Sequence, residues 1–418
     1  MDERLTRELS PSTFCQTASG RRSRQPSISA VRRLPLVEDV FRRSQALVES
    51  FDAIVRAELP ADLEIFDAHV HLGTDIDGMI GDFDELVAGQ QRYGITGSFM
   101  LCLDEPDRHP CFNAANDRTR VFAERSDGRF VPFARLDITE DPVGEATRSI
   151  DAGARGIKLH PRAQKFHLND ERLAPIFELA AERGVPILIH GGRGLPPIAD
   201  GLADLVERYD TQLIIAHCGI ADLAALAGRF SGRPGVFFDT SVWSPLDVLD
   251  LFRLVAPEQV LYASDYPYGQ QPGSLLLALR TAKIAGLDDT QLRAMLAGSA
   301  RRICNGEEPL PLSPPQGPES ISQLLTFARI HAYLSMATPL LWMRQADTIG
   351  VLGLALNACD ERSNGHREET EQIRELLMAA RDIWLALPDV DEADRPRTGR
   401  AAFRMVHLAN ILAVTADA

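Results

Sequence analysis

Apolar positions recur along this chain in two rhythms, one tight and one helical. From about residue 61, short and nearly unbroken apolar runs return at regular intervals: LEIFDA 63–68, GSFMLCL 97–103, FVPFARL 130–136, GIKLH 156–160, VPILIH 185–190, QLIIAH 212–217, GVFFDTS 235–241 and VLYASD 260–265. Stretches of helical periodicity lie between them, such as FDELVAGQQRYG 83–94, RLAPIFELAAERG 172–184 and GLADLVERYD 201–210. Strands that are apolar on both faces are strands buried on both faces, as parallel strands are. Eight strand–helix alternations over roughly 240 residues predict a closed (β/α)8 barrel, the TIM barrel, spanning 61–305. An open doubly wound sheet rarely needs eight such units. No Gly-rich phosphate loop follows the first run, as dinucleotide binding would require.

The flanks differ. Residues 1–35 are rich in Ser, Arg, Thr and Gln and have little apolar periodicity, which predicts a flexible tail. Residues 36–60 carry helical spacing at Val37, Val40, Phe41, Leu47, Phe51, Ile54 and Val55. Pro and Gly crowd 306–318, which reads as a linker. Residues 319–418 hold long helical patterns with no credible strand, predicting a small all-α domain of about four helices. Its Met and Leu stripes, as in AYLSMATPLLWM, form its own core, pack on a second copy in a homo-oligomer, or cap the barrel mouth.

Composition narrows the partners. A formal net charge of −15 disfavours nucleic acid and anionic membrane as partners. The six cysteines are irregularly spaced and form no C-x-x-C pair, which predicts reduced thiols and a cytoplasmic setting. No apolar run is long enough to span a bilayer, and the N-terminus has no secretion-type apolar stretch.

The chemistry sits where the apolar runs stop. His69 and His71 end the first run; Lys158 and His160 end the fourth; His190 ends the fifth, His217 the sixth and Asp265 the eighth. Barrel enzymes draw their reacting groups from those C-terminal strand ends. Imidazole and carboxylate together suit Zn²⁺, and also Mn²⁺ or Fe²⁺. Taken singly, each position has a plainer reading: His160 as a structural histidine, Asp265 as a turn cap, Lys158 as a neutralising cation. Taken together, four histidines and an aspartate at corresponding ends predict a metal site. Loop residues near these ends are candidates for the substrate side: Asp75 and Asp77 after the first run, and Arg162 and Arg193, whose forks suit a carboxylate or phosphate. Trp243, Tyr266 and His160 complete that set.

The segments DAHVHLG, GIKLHP, ILIHGG, IIAHCG and YASDYPYG resemble the amidohydrolase superfamily, in particular its amidohydrolase-2 branch, over about 61–305. The resemblance implies one divalent ion on His69, His71, His190 and Asp265, with Zn²⁺ the first choice. It implies His217 beside the reacting water or, less favoured, on a second metal. Lys158 matches the position carbamylated in two-metal members, and the branch usually leaves it unmodified. The implied activity is metal-assisted hydrolysis of a small-molecule amide, ester or lactone, with Asp265 and His217 catalytic. The alternatives are non-oxidative decarboxylation of an aromatic or unsaturated acid, which the same branch includes, and a non-enzymatic barrel that scaffolds a partner.

Overall fold

The computed structural model describes residues 28–416 apart from 322, 343, 344, 346, 362–365 and 393. Most of the proposed tail, up to residue 27, lies outside the described residues. The first helix, α1, runs Ile28–Glu58 and so starts earlier than the apolar spacing placed it.

Eight strand positions follow, all parallel to their barrel neighbours: β1 Ile65–Thr74, β2 Ile95–Cys102, β3 Phe130–Pro132 continued as Ala134–Arg135, β4 Ile157–Leu159, β5 Ile187–Ile189, β6 Leu213–Ile215, β7 Val236–Asp239 and β8 Val260–Leu261. At Phe133, β3 leaves one neighbour for the other. Phe133 N donates to Met100 O on β2, and Ala134 N donates to Gly156 O beside β4. The ring closes between the last strand and the first. Ala68 N donates to Tyr262 O at 2.8 Å, and Asp265 N donates to His69 O at 2.8 Å. Val70 and Tyr266 form a parallel bridge. The chain is therefore a (β/α)8 barrel with a helical C-terminal region.

Side chains alternate across each strand, so every second residue enters the barrel. Phe66, Ala68, Phe99, Leu101, Leu188, Ile214, Phe237, Leu261 and Ala263 pack into one buried cluster. Their neighbours Ile187, Ile189, Leu213 and Ile215 join the larger core together with residues of the surrounding helices. The register of β1 against β2 shifts first between Ile65 and Phe66, where β2 carries the extra residue. Between Asp67 and Val70 the register against β2 slips, so that β1 spends one more residue than β2 there. A bulge of this kind re-aims the residues beyond it. It lets His69 and His71 turn into the barrel after Phe66 and Ala68.

Among the described residues, four α-helices form the C-terminal region: α2 Leu325–Trp342, α3 Thr348–Cys359, α4 Arg367–Ala386 and α5 Arg395–Thr415. None of the described helices is long and apolar enough to cross a membrane. The linker is not a free spacer: Ser313 N and Oγ donate to Glu258, and Gln316 N donates to Phe252 O. Helix α5 meets the rim of the barrel. Arg400 donates to Ile80 O and Arg404 pairs with Glu85, both in the segment after β1. Asn410 donates to Trp243 O after β7. Trp243 packs edge-on against Phe403, with centroids 3.6 Å apart. Arg280, on the barrel helix Gly273–Ala285, donates to Glu58 of α1 and to Thr415 of α5. The contact with the barrel rim is made by α5, whereas Leu334, Ala337 and Leu341 of the stripe in α2 are buried in the core.

His407 of α5 is 6% exposed beside Trp243, and burial pulls its pKa down to about 4. The folded value lies below the ordinary value of 6.5, so in that window the unfolded chain binds more protons. The stabilisation is complete above pH 6.5 and is lost as pH falls toward 4. At pH 4.5 the loss reaches about 2–3 kcal/mol. Urea unfolding at pH 7 and pH 4.5 should show His407→Gln losing less stability between the two than the unsubstituted chain.

Candidate metal centre

The C-terminal ends of the strands bring seven polar side chains together. His69 and His71 come from the bulged β1 and Lys158 from β4. His190 follows β5, His217 follows β6, Asp239 ends β7 and Asp265 follows β8. Both His217 and Asp265 sit in left-handed backbone, at φ 59° and 56°, where the chain turns sharply off its strand. Asp239 and Asp265 continue the inward parity of Phe237 and of Leu261 and Ala263, and His190 that of Leu188.

Hydrogen-bond partners assign the ring tautomers. His69 Nδ1 lies 2.8 Å from Asp239 Oδ2, and His71 Nδ1 lies 3.1 Å from Cys102 O. Carboxylate and carbonyl oxygens only accept, so each Nδ1 carries the proton and donates. Each Nε2 is left as a lone pair in the neutral ring. Those two Nε2 atoms stand 3.0 Å apart. Asp265 Oδ1 lies 3.6 Å from the first and 3.4 Å from the second. Three acceptors thus converge, with atoms of all three residues within 4.8 Å of one another. The amine of Lys158, 3.3 Å from His69 Nε2, can donate to one of them. One donor does not reconcile three converging lone pairs; a cation among them does.

Electrostatics keep the donors ready. Burial, aided by the Lys158 charge, pulls His69 down to about 3 and His71 well below its ordinary value, so both stay neutral. Burial also pulls Lys158 down to about 7 and raises the Asp265 carboxyl. Burial opposes the charge on Asp239. The His69 ring, whose Nδ1–H it accepts, outweighs that and holds the carboxyl below its ordinary range. His190 is held neutral by burial, and its buried Nε2 has no hydrogen-bond partner. An orphaned imidazole nitrogen costs free energy unless a ligand satisfies it.

The family model described as Amidohydrolase matches residues 66–304, more than half of the chain. The chain belongs to the amidohydrolase family. A curated relative, pyridoxine 5′-phosphate synthase of Xanthomonas axonopodis pv. citri, is 29% identical over 160 residues, 33% of this chain. The chain spans 62% of that relative's length. Among solved structures, the IDCase of Metarhizium anisopliae is similar at 16% identity and TM-score 0.46, over 59% of this chain and 98% of that one. The 5-carboxyvanillate decarboxylase LigW of Sphingomonas paucimobilis is similar at 14% identity and TM-score 0.45, over 58% and 99%.

The other expected residues of this amidohydrolase fall into distinct places. His217 lies in the cluster, its ring 4.6 Å from that of His190 and 5.4 Å from that of His69. Its Nδ1 faces Ser241 O at 2.9 Å, which leaves Nε2 as an acceptor. His160 stacks on His190 at 3.9 Å, and its Nδ1 accepts from Ala163 N, capping the short helix Pro161–Gln164. Its structural reading therefore has direct support. Asp75 is buried and organises loops: it accepts from Tyr268 Oη and from the Asp77 and Asp104 amides. Asp77 itself is exposed. Arg162 is exposed, and Arg193 is 73% exposed and paired with Asp247, so neither is held in the cluster. Trp243 packs on Phe403 and His407 of α5 and lines a small cavity with Tyr268 and Gln270. Tyr266 is buried and donates to Asp82 O.

Two residues escaped the sequence reading. Thr and Ser follow Asp239 in GVFFDTS, so no ligand-like spacing singles it out, although the parity from Phe237 marks it. Arg135 ends β3 and is 2% exposed; an arginine closing an apolar run was not weighed as an inward group. A second group, His109, Asp137 and Glu140, also gathers potential donors, with His109 and Glu140 exposed. There His109 Nδ1 is already hydrogen-bonded to Glu140 Oε1 at 2.9 Å.

Asp239 fixes the His69 ring from behind, so its charge should matter to whatever His69 Nε2 holds. Asp239→Asn should lower affinity for Zn²⁺ by roughly tenfold or more with the melting temperature little changed. Competition with a chromogenic chelator measures it.

Proposed function

We propose that this amidohydrolase is a metal-dependent hydrolase acting on an amide, ester or lactone carbonyl of a small molecule. One divalent ion, Zn²⁺ ahead of Mn²⁺ or Fe²⁺, is held by His69, His71, His190 and Asp265. The observation that carries the reading is the convergence of His69 Nε2, His71 Nε2 and Asp265 Oδ1 as three acceptors. The orphaned Nε2 of His190 supports it. A scaffold would have no use for such an arrangement.

A divalent ion in such a donor set lowers the pKa of water from 15.7 to about 7 and polarises a carbonyl. The chain's own groups do the rest. Asp239 and Cys102 O hold the two β1 rings by their Nδ1–H groups, so neither can rotate or exchange tautomer without losing a bond. His217, anchored through Nδ1 to Ser241 O, presents Nε2 as an acceptor for an O–H of the attacking water. Asp265 is the proton carrier: its carboxylate, 17% exposed at the mouth, takes the proton from that water and returns it to the leaving group. Lys158 remains a free amine in this reading, which gives one ion rather than two.

The runner-up is non-oxidative decarboxylation of an aromatic or unsaturated acid. The buried guanidinium of Arg135 at the end of β3 favours an acidic substrate.

The full chain, supplied with Zn²⁺, should retain about one equivalent of metal and hydrolyse members of a lactone, ester and amide panel. Carbon dioxide release from aromatic and unsaturated acids, measured in parallel, distinguishes the runner-up. Asp265→Asn should lower turnover by roughly 10²- to 10⁴-fold. Undiminished hydrolysis after complete removal of metal by a chelator would overturn the reading.

A further inference from the structure

Nine described residues carry a buried side-chain polar atom without a hydrogen-bond partner, some of them, such as Gln90 and Arg381, on helices. Those of Arg135 and His190 stand at the ends of β3 and β5, and that of Gln164 closes the short helix after β4. His190 belongs to the metal reading above. Arg135 and Gln164 do not, and both leave N–H donors without an acceptor: Arg135 Nε and Nη2, and Gln164 Nε2.

Arg135 carries a full charge at 2% exposure. Arginine is almost never buried this deeply unless it is paired. Its direct bond is a long one, Nη1 to Cys102 O at 3.4 Å. The same carbonyl accepts from His71 Nδ1, which places the guanidinium beside the metal cluster. Its carboxylate neighbour, Asp104, lies 3.8 Å away, and both its oxygens already accept from Arg108 Nη1, at 2.9 Å each. Phe112 supports the guanidinium from one side, with the ring centroid 4.9 Å from Cζ. A guanidinium stacked on a ring presents its N–H edge in a fixed plane. That edge, with two donors unanswered, matches the two oxygens of a carboxylate. Gln164 is similarly set: its Oε1 accepts from His160 N at 2.7 Å, which fixes the carboxamide and leaves Nε2 to donate.

We propose that Arg135 anchors a carboxylate of the substrate, so that this enzyme acts on a small carboxylic acid. The acid group sits at the β3–β4 side of the mouth and delivers the reacting centre to His69, His71 and Asp265. This placement rests on the metal-site reading, whereas the anchor itself is a binding claim with its own measurement. It also displaces Arg162 and Arg193, the exposed arginines, from the anchoring role.

The test uses the full chain loaded with Zn²⁺, titrated calorimetrically with benzoate and with fumarate. Benzamide serves as the uncharged control. Saturable binding of at least one acid is expected, with benzamide weaker than benzoate if benzoate is that acid. Arg135→Met should lower affinity for the bound acid by roughly ten- to hundred-fold at unchanged zinc content. Arg135→Lys keeps the charge and loses the fork, and should fall between. No binding of either acid, benzamide binding as tightly as benzoate, or unchanged acid affinity in Arg135→Met overturns the anchor and leaves the metal reading standing. Loss of fold in both variants, read from melting curves, makes Arg135 structural and overturns it as well. Failure to retain zinc, by contrast, overturns the metal reading, while acid affinity still reports on Arg135.

Discussion

Two lone pairs pointed at each other across 3.0 Å, with a carboxylate oxygen beside both, are the condition around which the upper end of this barrel is organised. Left without a positive charge, such a group repels itself in a medium of low dielectric. The arrangement persists because each ring is held by its far nitrogen, to Asp239 and to Cys102 O, and because burial denies the rings a proton. The tension at the centre is therefore sustained from outside it. β2 supplies a carbonyl, β7 a carboxylate and β8 the third acceptor.

The barrel geometry makes this possible. Alternation of inward and outward residues along the strands fills the interior with Phe, Leu, Ile and Ala. The extra residue in β1 departs from that rule and aims His69 and His71. Sharp left-handed turns at His217 and Asp265 let those residues face the cluster as the chain leaves its strand. Local departures from regular geometry gather where function is placed.

Much of this was legible in the sequence. The eight apolar runs gave the strand count and order, and four helices stand in the described part of the C-terminal region. Period-2 reading brought His69, His71, Lys158, His190, His217 and Asp265 to one end of the barrel. What it missed has a physical cause. Asp239 acts through His69, so no ligand-like spacing advertises it. The burial of Arg135 depends on Phe112 and Asp104, residues from a different loop. Arg162 and Arg193 looked better placed because they follow candidate ligand strands, but a helix cap and an ion pair with Asp247 carry their segments outward. Trp243 could not be assigned to α5 from sequence, since its contact partners lie about 160 residues further on.

Helix α5 bears on how such a chain matures. It grips the segments after β1 and β7 through Arg400, Arg404 and Asn410, and is fastened to α1 by way of Arg280. During synthesis every strand of the barrel leaves the ribosome before helix α5 does. The nascent chain must therefore hold a rim that lacks its clasp until α5 emerges, and the link from α5 through Arg280 to α1 closes only after the barrel strands are made.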